Sequence, residues 1–113
     1  MGVRKDYKQS NHTLAATTSA VAWTIKAGDH FDVKRIGMKI SSAPTSAGSI
    51  TVTLDSNAGA AYDHVLRTVD PVAASATSVV FEEILGLTNG DALLIEYANP
   101  DSRTITGTAI TEV

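Results

Sequence analysis

The sequence contains no cysteine, so the chain can form neither a disulfide nor a thiolate metal site. Aromatic residues make up only 5% of its 113 residues, which is low for a surface that binds sugars by stacking. No segment approaches the roughly 20 apolar residues of a membrane span, and the start lacks the apolar core of a signal peptide. We therefore expect a single domain that is made in the cytoplasm and does not contact a membrane.

Basic charge is scarce and unevenly placed. The formal net charge is -3, but residues 1–13 hold Arg4, Lys5 and Lys8 against Asp6, a balance of +2 that leaves -5 for the rest. A mildly acidic body with three cations at one end is a poor nucleic-acid binder, because neutralising phosphates requires clustered Lys and Arg. The basic segment is better suited to contact with an acidic protein surface.

Short segments with apolar residues at alternate positions dominate the remaining sequence, and turn residues separate them. One predicted strand begins at residue 79, and Glu82 and Glu83 lie at its rim. The others are predicted at residues 21–26, 31–40, 50–55, 62–69, 93–97 and 104–111. Seven or eight strands without a helix indicate an all-β, antiparallel two-layer sandwich, with a jelly roll favoured over an immunoglobulin-like topology. We assign residues 1–18 to an extended N-terminal arm and residues 19–113 to the sandwich domain.

The parity of the alternation also predicts which side chains point inward. It places Trp23, Val52 and Phe81 in the core. The apolar parity changes between Val33 and Ile36, which predicts a β-bulge near Lys34 and Arg35.

The polar residues form no recognisable catalytic or metal-binding pattern. The three histidines, His12, His30 and His64, lie at predicted strand boundaries and lack the spacing of metal ligands. Residues 55–59 resemble the start of a calcium loop but lack its turn glycine and closing glutamate, so a tight turn explains them better. Glu82 and Glu83 are adjacent on a strand and face opposite sides. We therefore predict no enzyme activity and no cofactor.

Two stretches, ITVTLDSNAGAAYDHVL at 50–66 and LTNGDALLIEYANPDSRT at 87–104, carry a resemblance together with residues 33–44. In the order of strands and turns, the last three quarters of the chain resemble small β-sandwich structural proteins of tailed bacteriophages. The resemblance implies a capsid decoration or cement protein on the virion exterior, made in the host cytoplasm. Such proteins commonly bind the major capsid protein as homotrimers, and the resemblance carries over no catalytic residue.

The implied mechanism assigns roles to several residues. Arg4, Lys5 and Lys8 would provide charge complementarity to the capsid, and Leu14 would provide a hydrophobic anchor when the arm orders on docking. Tyr62 and Tyr97 are candidates for the subunit interface. Three alternatives remain open: a frayed terminus in place of a binding arm, a tail, fibre or head-fibre component, and a carbohydrate-binding or host-surface-binding module.

Overall fold

The computed structural model of the protein describes residues 9–26 and 30–113. These residues form eight strands and one short 3-10 helix: β1 (Gln9–Thr17), β2 (Val21–Ile25), β3 (Phe31–Ile40), β4 (Ile50–Asp55), the 3-10 helix (Ala60–Tyr62), β5 (His64–Val69), β6 (Ser78–Leu87), β7 (Ala92–Tyr97) and β8 (Ile105–Glu112). The predicted all-β architecture is confirmed. The described residues contain no helix suited to crossing a membrane.

The strands form two antiparallel sheets of four. Sheet A has the order β1-β8-β3-β6, and sheet B has the order β2-β7-β4-β5. This strand order is that of a jelly roll, the topology that the sequence favours. It places β1 beside β2 on one side of the sandwich, which we call the β1/β2 side, and β6 beside β5 on the other, the β5/β6 side.

The core lies between the sheets and is built from the inward residues of each alternating strand. Trp23, Val52 and Phe81 are buried, as their parity predicts. The predicted bulge is also present. Val33 and Arg35 of β3 pair with the adjacent residues Thr111 and Ile110 of β8, so β3 has one extra residue at this point. This extra residue explains why the inward parity changes within a single continuous strand.

The first strand corrects the predicted arm. Residues 9–17 pair with β8 along the edge of sheet A, so they belong to the sandwich and not to a separate arm that extends to residue 18. The pattern did not reveal this strand because two positions that share the parity of Leu14 are polar: Ser10, which is exposed, and His12, which is half-buried. Only Leu14 is buried in β1.

The sixth and fifth strands also differ from their predicted bounds. β6 continues to Leu87, so Glu82 and Glu83 lie within the strand and not at its rim. Glu83 adopts a left-handed backbone with φ 45°, which interrupts the alternation and makes the strand look shorter in the sequence. β5 begins at His64, because the preceding residues form the 3-10 helix Ala60–Tyr62.

Candidate interaction surfaces

The outer face of sheet A is uncharged along its central row. Thr13, Thr108, Gly37 and Val80 lie in register across its four strands. Val80 is an exposed apolar residue, and Gly37 leaves the middle of the row without a side chain. A shallow groove of about 480 Å³ crosses β1, β8 and β3 at this level and is lined mainly by residues 13–16, 37–39 and 106–108. Such a surface is suited to packing against another protein face.

The outer face of sheet B carries a second row across its strands. Thr24, Leu94, Thr53 and Val65 are paired in register from β2 to β5. Val65 is 59% exposed, and Tyr62, two residues before β5, is 60% exposed. We call Tyr62 and Val65 the β5 patch. The two side chains give the β5 edge of sheet B an accessible apolar surface.

Of the two tyrosines predicted at a subunit interface, the structure leaves only Tyr62 accessible. Tyr97 is 2% exposed and points inward from β7, so its predicted interface role is wrong for the folded subunit. Burial raises the pKa of the Tyr97 hydroxyl, and the nearby charge of Asp101 raises it further. Within the described part of the chain this hydroxyl has no hydrogen-bond partner.

The predicted capsid-contact residues divide into two groups. Leu14 is 8% exposed and belongs to the hydrophobic core, so it cannot act as the surface anchor that was predicted. Its inward direction follows from the pairing of β1 with β8, which the sequence pattern did not reveal. Arg4, Lys5 and Lys8 lie outside the described residues.

The three histidines are not brought together. His12 lies on β1, with its Nε2 2.9 Å from Oγ1 of buried Thr111, while His30 and His64 are exposed at strand starts. Among residues 9–26 and 30–113, no group of three or more His, Asp or Glu side chains is placed to hold a metal ion.

Buried polar contacts hold the loops at the end of the sandwich where β1 turns into β2. Asn99 adopts φ 53°, and its Nδ2 donates hydrogen bonds of 2.9 Å to the carbonyl oxygens of Ser19 and Arg103. Its Oδ1 accepts from the backbone N–H of Arg103 at 3.0 Å, and the Arg103 Nη2 donates to the Ala43 carbonyl at 3.2 Å. Three loops are therefore fastened to one another at this end.

Asp101 joins two of these three loops, the one that contains it and the one that follows β3. Its carboxylate accepts hydrogen bonds from the backbone N–H groups of Thr45 and Ser46, at 2.7 and 2.9 Å, and from the Ser46 hydroxyl. These donors favour the ionised form, so they lower the pKa of Asp101 to about 2. The ionised carboxylate thus works as a loop clamp.

Asp91 performs the same task at the opposite end of the sandwich. It accepts from the Asn57 N–H at 2.8 Å and from the N–H and hydroxyl of Thr88 at 3.0 and 2.8 Å. These hydrogen bonds lower the pKa of its carboxyl group. Because both ends of the sandwich are fastened, the two outer faces are presented by a rigid frame.

The chain's sequence matches no protein-family model and no curated protein. The features that bear on function are therefore the outer face of sheet A with its groove, the β5 patch, and the charge difference between residues 1–13 and the remaining chain.

Proposed function

We propose that the protein is a structural component of a virion, a decoration protein that binds the outside of a bacteriophage capsid and stabilises the shell. The observation that carries the proposal is the exposure of large apolar side chains on both outer faces of one rigid jelly roll. Val80 presents such a surface on sheet A, and the β5 patch presents another beside sheet B. With an apolar surface on each outer face, one domain can bind two neighbouring subunits at once. A protein that stabilises the shell must make such a double contact.

The β5 patch is the surface we assign to the major capsid protein. Truncating an exposed aromatic residue that becomes buried at an interface typically weakens binding strongly, and Tyr62 is the exposed tyrosine of the described chain. Val65 extends the apolar area along the adjoining strand. Leu14 is excluded from this contact, since it packs in the core.

The basic residues Arg4, Lys5 and Lys8 supply the second part of the proposed contact. Their positive charge would be attracted to an acidic patch of the shell, a contact that the acidic remainder of the chain cannot make. Their contribution is electrostatic, and it should weaken as salt is added. The apolar contribution of the β5 patch should remain, which makes the two parts separable by experiment.

Co-sedimentation with empty shells assembled from the cognate major capsid protein tests the proposal. The full chain should bind at a fixed ratio, and Tyr62→Ser with Val65→Thr should weaken binding by about tenfold or more. Thr51→Ser on the outer face of sheet B is the control and should bind as the unmodified chain does. Arg4→Glu with Lys5→Glu and Lys8→Glu should weaken binding mainly at low salt. Failure of the full chain to bind shells would overturn the capsid role and favour a tail, fibre or head-fibre component.

A glycan-binding role is the second candidate, and the exposed ring of Tyr62 is the observation that favours it. The other aromatic residues with described side chains, Trp23, Phe31, Phe81 and Tyr97, are buried, so they do not extend Tyr62 into a stacking platform. A glycan array separates the two roles. Binding that disappears in Tyr62→Ser would support the carbohydrate module over the decoration protein.

A further inference from the structure

The open edges of the two sheets differ in how well they are protected. An edge strand presents unpaired backbone N–H and C=O groups, which can pair with a strand of another chain. The described residues place β1 and β6 at the edges of sheet A, and β2 and β5 at the edges of sheet B. Irregular backbone, charge and short length are the usual protections against such pairing.

Three of these described edges carry such protection. In β6, Glu83 and Gly86 have φ values of 45° and 79°, and the pairing with β3 shifts between Phe31 and Val33. In β5, the register shifts beside Val52, and Arg67 donates to the carbonyl oxygens of Leu66 and Glu83 at 2.9 and 3.4 Å. β2 is only five residues long.

The fourth edge, β1, lacks these protections over most of its length. Gln9 to Leu14 pair with six consecutive residues of β8 without a register shift. The nine residues of β1, QSNHTLAAT, include no charged residue, proline or glycine. After Leu14 the strand is bulged, and the Trp23 Nε1 donates to the Ala15 carbonyl at 3.0 Å. These two features hinder pairing with another strand from Ala15 onward. The unprotected segment is therefore residues 9–14.

We propose that β1 of one subunit pairs antiparallel with β1 of a second copy of this chain, joining their two A sheets into one continuous sheet. β1 is the least protected of the four described edges, and a second copy of the chain presents the same edge for antiparallel pairing. Self-pairing of an uncharged strand also sets no like charges opposite each other, whatever its register. A two-fold axis normal to the sheet keeps inward side chains facing inward in both copies.

The groove on sheet A lies beside the proposed contact. Residues 13–16 form its β1 wall, so pairing through β1 would bring the grooves of two subunits next to each other. The contact closes at two copies, whereas the phage resemblance implies three. It is independent of shell binding and can be tested on the purified protein alone.

Sedimentation equilibrium of the full chain over a range of concentrations tests the inference. We expect a monomer–dimer equilibrium. Asn11→Lys with Thr13→Lys should raise its dissociation constant by about a hundredfold. Antiparallel pairing about a two-fold axis within residues 10–14 would place lysines of the two copies opposite or diagonal to each other, where they repel. The control is Ser78→Lys with Glu82→Lys, which adds two lysines at exposed positions of β6, the opposite edge of the same sheet, and leaves Val80 unchanged. It should leave the dimer intact.

Charge reversal separates a lost contact from a damaged fold. Asn11→Glu with Thr13→Glu should also be monomeric, and mixing it with the lysine variant should restore a mixed dimer of opposite charge. A monomer at all concentrations, or a trimer that the lysines do not disturb, would overturn the inference. It would also be overturned if the unmodified chain were monomeric and the lysine variant lost only shell binding, since β1 would then pair with a capsid strand.

Discussion

On the β1/β2 side of the sandwich the two sheets are joined by a buried indole, whereas on the β5/β6 side they are joined by an exposed guanidinium. Trp23 is 7% exposed, and its N–H donates to the Ala15 carbonyl at 3.0 Å. Arg67 is exposed and reaches the Glu83 carbonyl only at 3.4 Å. Burial contributes much more to stability than an exposed polar contact does. We therefore expect the contact made by Trp23 to contribute more to the free energy of unfolding than the contact made by Arg67.

The largest expected effect comes from removing the side chain that closes each side. Trp23→Ala should lower the free energy of unfolding by about 3–5 kcal/mol, since it deletes a buried ring and leaves a cavity. Arg67→Ala should lower it by less than about 1 kcal/mol, because its hydrogen bonds are exposed to water. Urea denaturation followed by circular dichroism measures both values. Similar losses from the two variants would contradict the comparison.

Trp23→Phe serves as the control for the indole. It retains an aromatic ring in the core but removes the N–H that binds the Ala15 carbonyl. We expect a loss smaller than that of Trp23→Ala. If Trp23→Phe were as damaging as the alanine variant, the hydrogen bond, and not the packing of the ring, would be what holds this side closed.

A smaller effect is expected where the indole ring lies against the backbone of β8. A Cβ atom at Gly107 would stand 2.7 Å from Cη2 and Cζ3 of Trp23 and 3.1 Å from the Gly37 carbonyl oxygen. Gly107→Ala should therefore cost about 1–3 kcal/mol through overpacking. Gly37→Ala is the matched control on the neighbouring strand, since its Cβ would meet the Thr108 Oγ1 at an ordinary 3.6 Å. Urea midpoints compare the two variants.

The double variant Trp23→Ala with Gly107→Ala sharpens this test. Removing the ring also removes the clash. The double variant should therefore lose less free energy of unfolding than the sum of the losses in the two single variants. Strict additivity would show that the cost at Gly107 arises elsewhere in the strand, for example at the Gly37 carbonyl.

Periodicity predicts the inward side chains of most strands because a buried face requires apolar residues at every second position. Trp23, Val52 and Phe81 follow this rule, and the parity change at Lys34 and Arg35 locates the bulge. The rule fails for β1, whose Ser10 and His12 share the parity of Leu14 but are not fully buried and need not be apolar. An edge strand can therefore be present without its usual sequence pattern.

The candidate surfaces were less predictable than the fold. Tyr97 alternates with apolar residues, a pattern that fits a core position as well as the predicted interface role. The structure buries its hydroxyl without a partner among the described residues. Which strands lie at sheet edges depends on their order, and periodicity does not encode strand order. For this reason, neither the unprotected β1 edge nor the bridge made by Arg67 could be identified from the sequence alone.

The smallest expected effect concerns the loop between β7 and β8, which contacts the turn between β1 and β2, here called the β1/β2 corner. An ionised carboxylate in this loop holds it in place. Asn99 binds the Ser19 carbonyl in this corner, and Asp101 clamps the same loop to Thr45 and Ser46. The folded-state pKa of Asp101, about 2, lies below its ordinary value of 3.8. Its ionisation therefore stabilises the fold fully above that ordinary value, and the contribution is lost as the pH falls from about 4 to 2.

Asp101→Asn tests this dependence, because asparagine cannot ionise and keeps only part of the clamp. Its urea midpoint should be below that of the unmodified chain near neutral pH, and the two should converge as the pH falls from about 4 to 2. Arg67→Ala is the control from the β5/β6 side, and its offset from the unmodified chain should change little over this interval. An Asp101→Asn offset that stayed constant from pH 5 to pH 2 would show that the charge of Asp101 does not hold the corner.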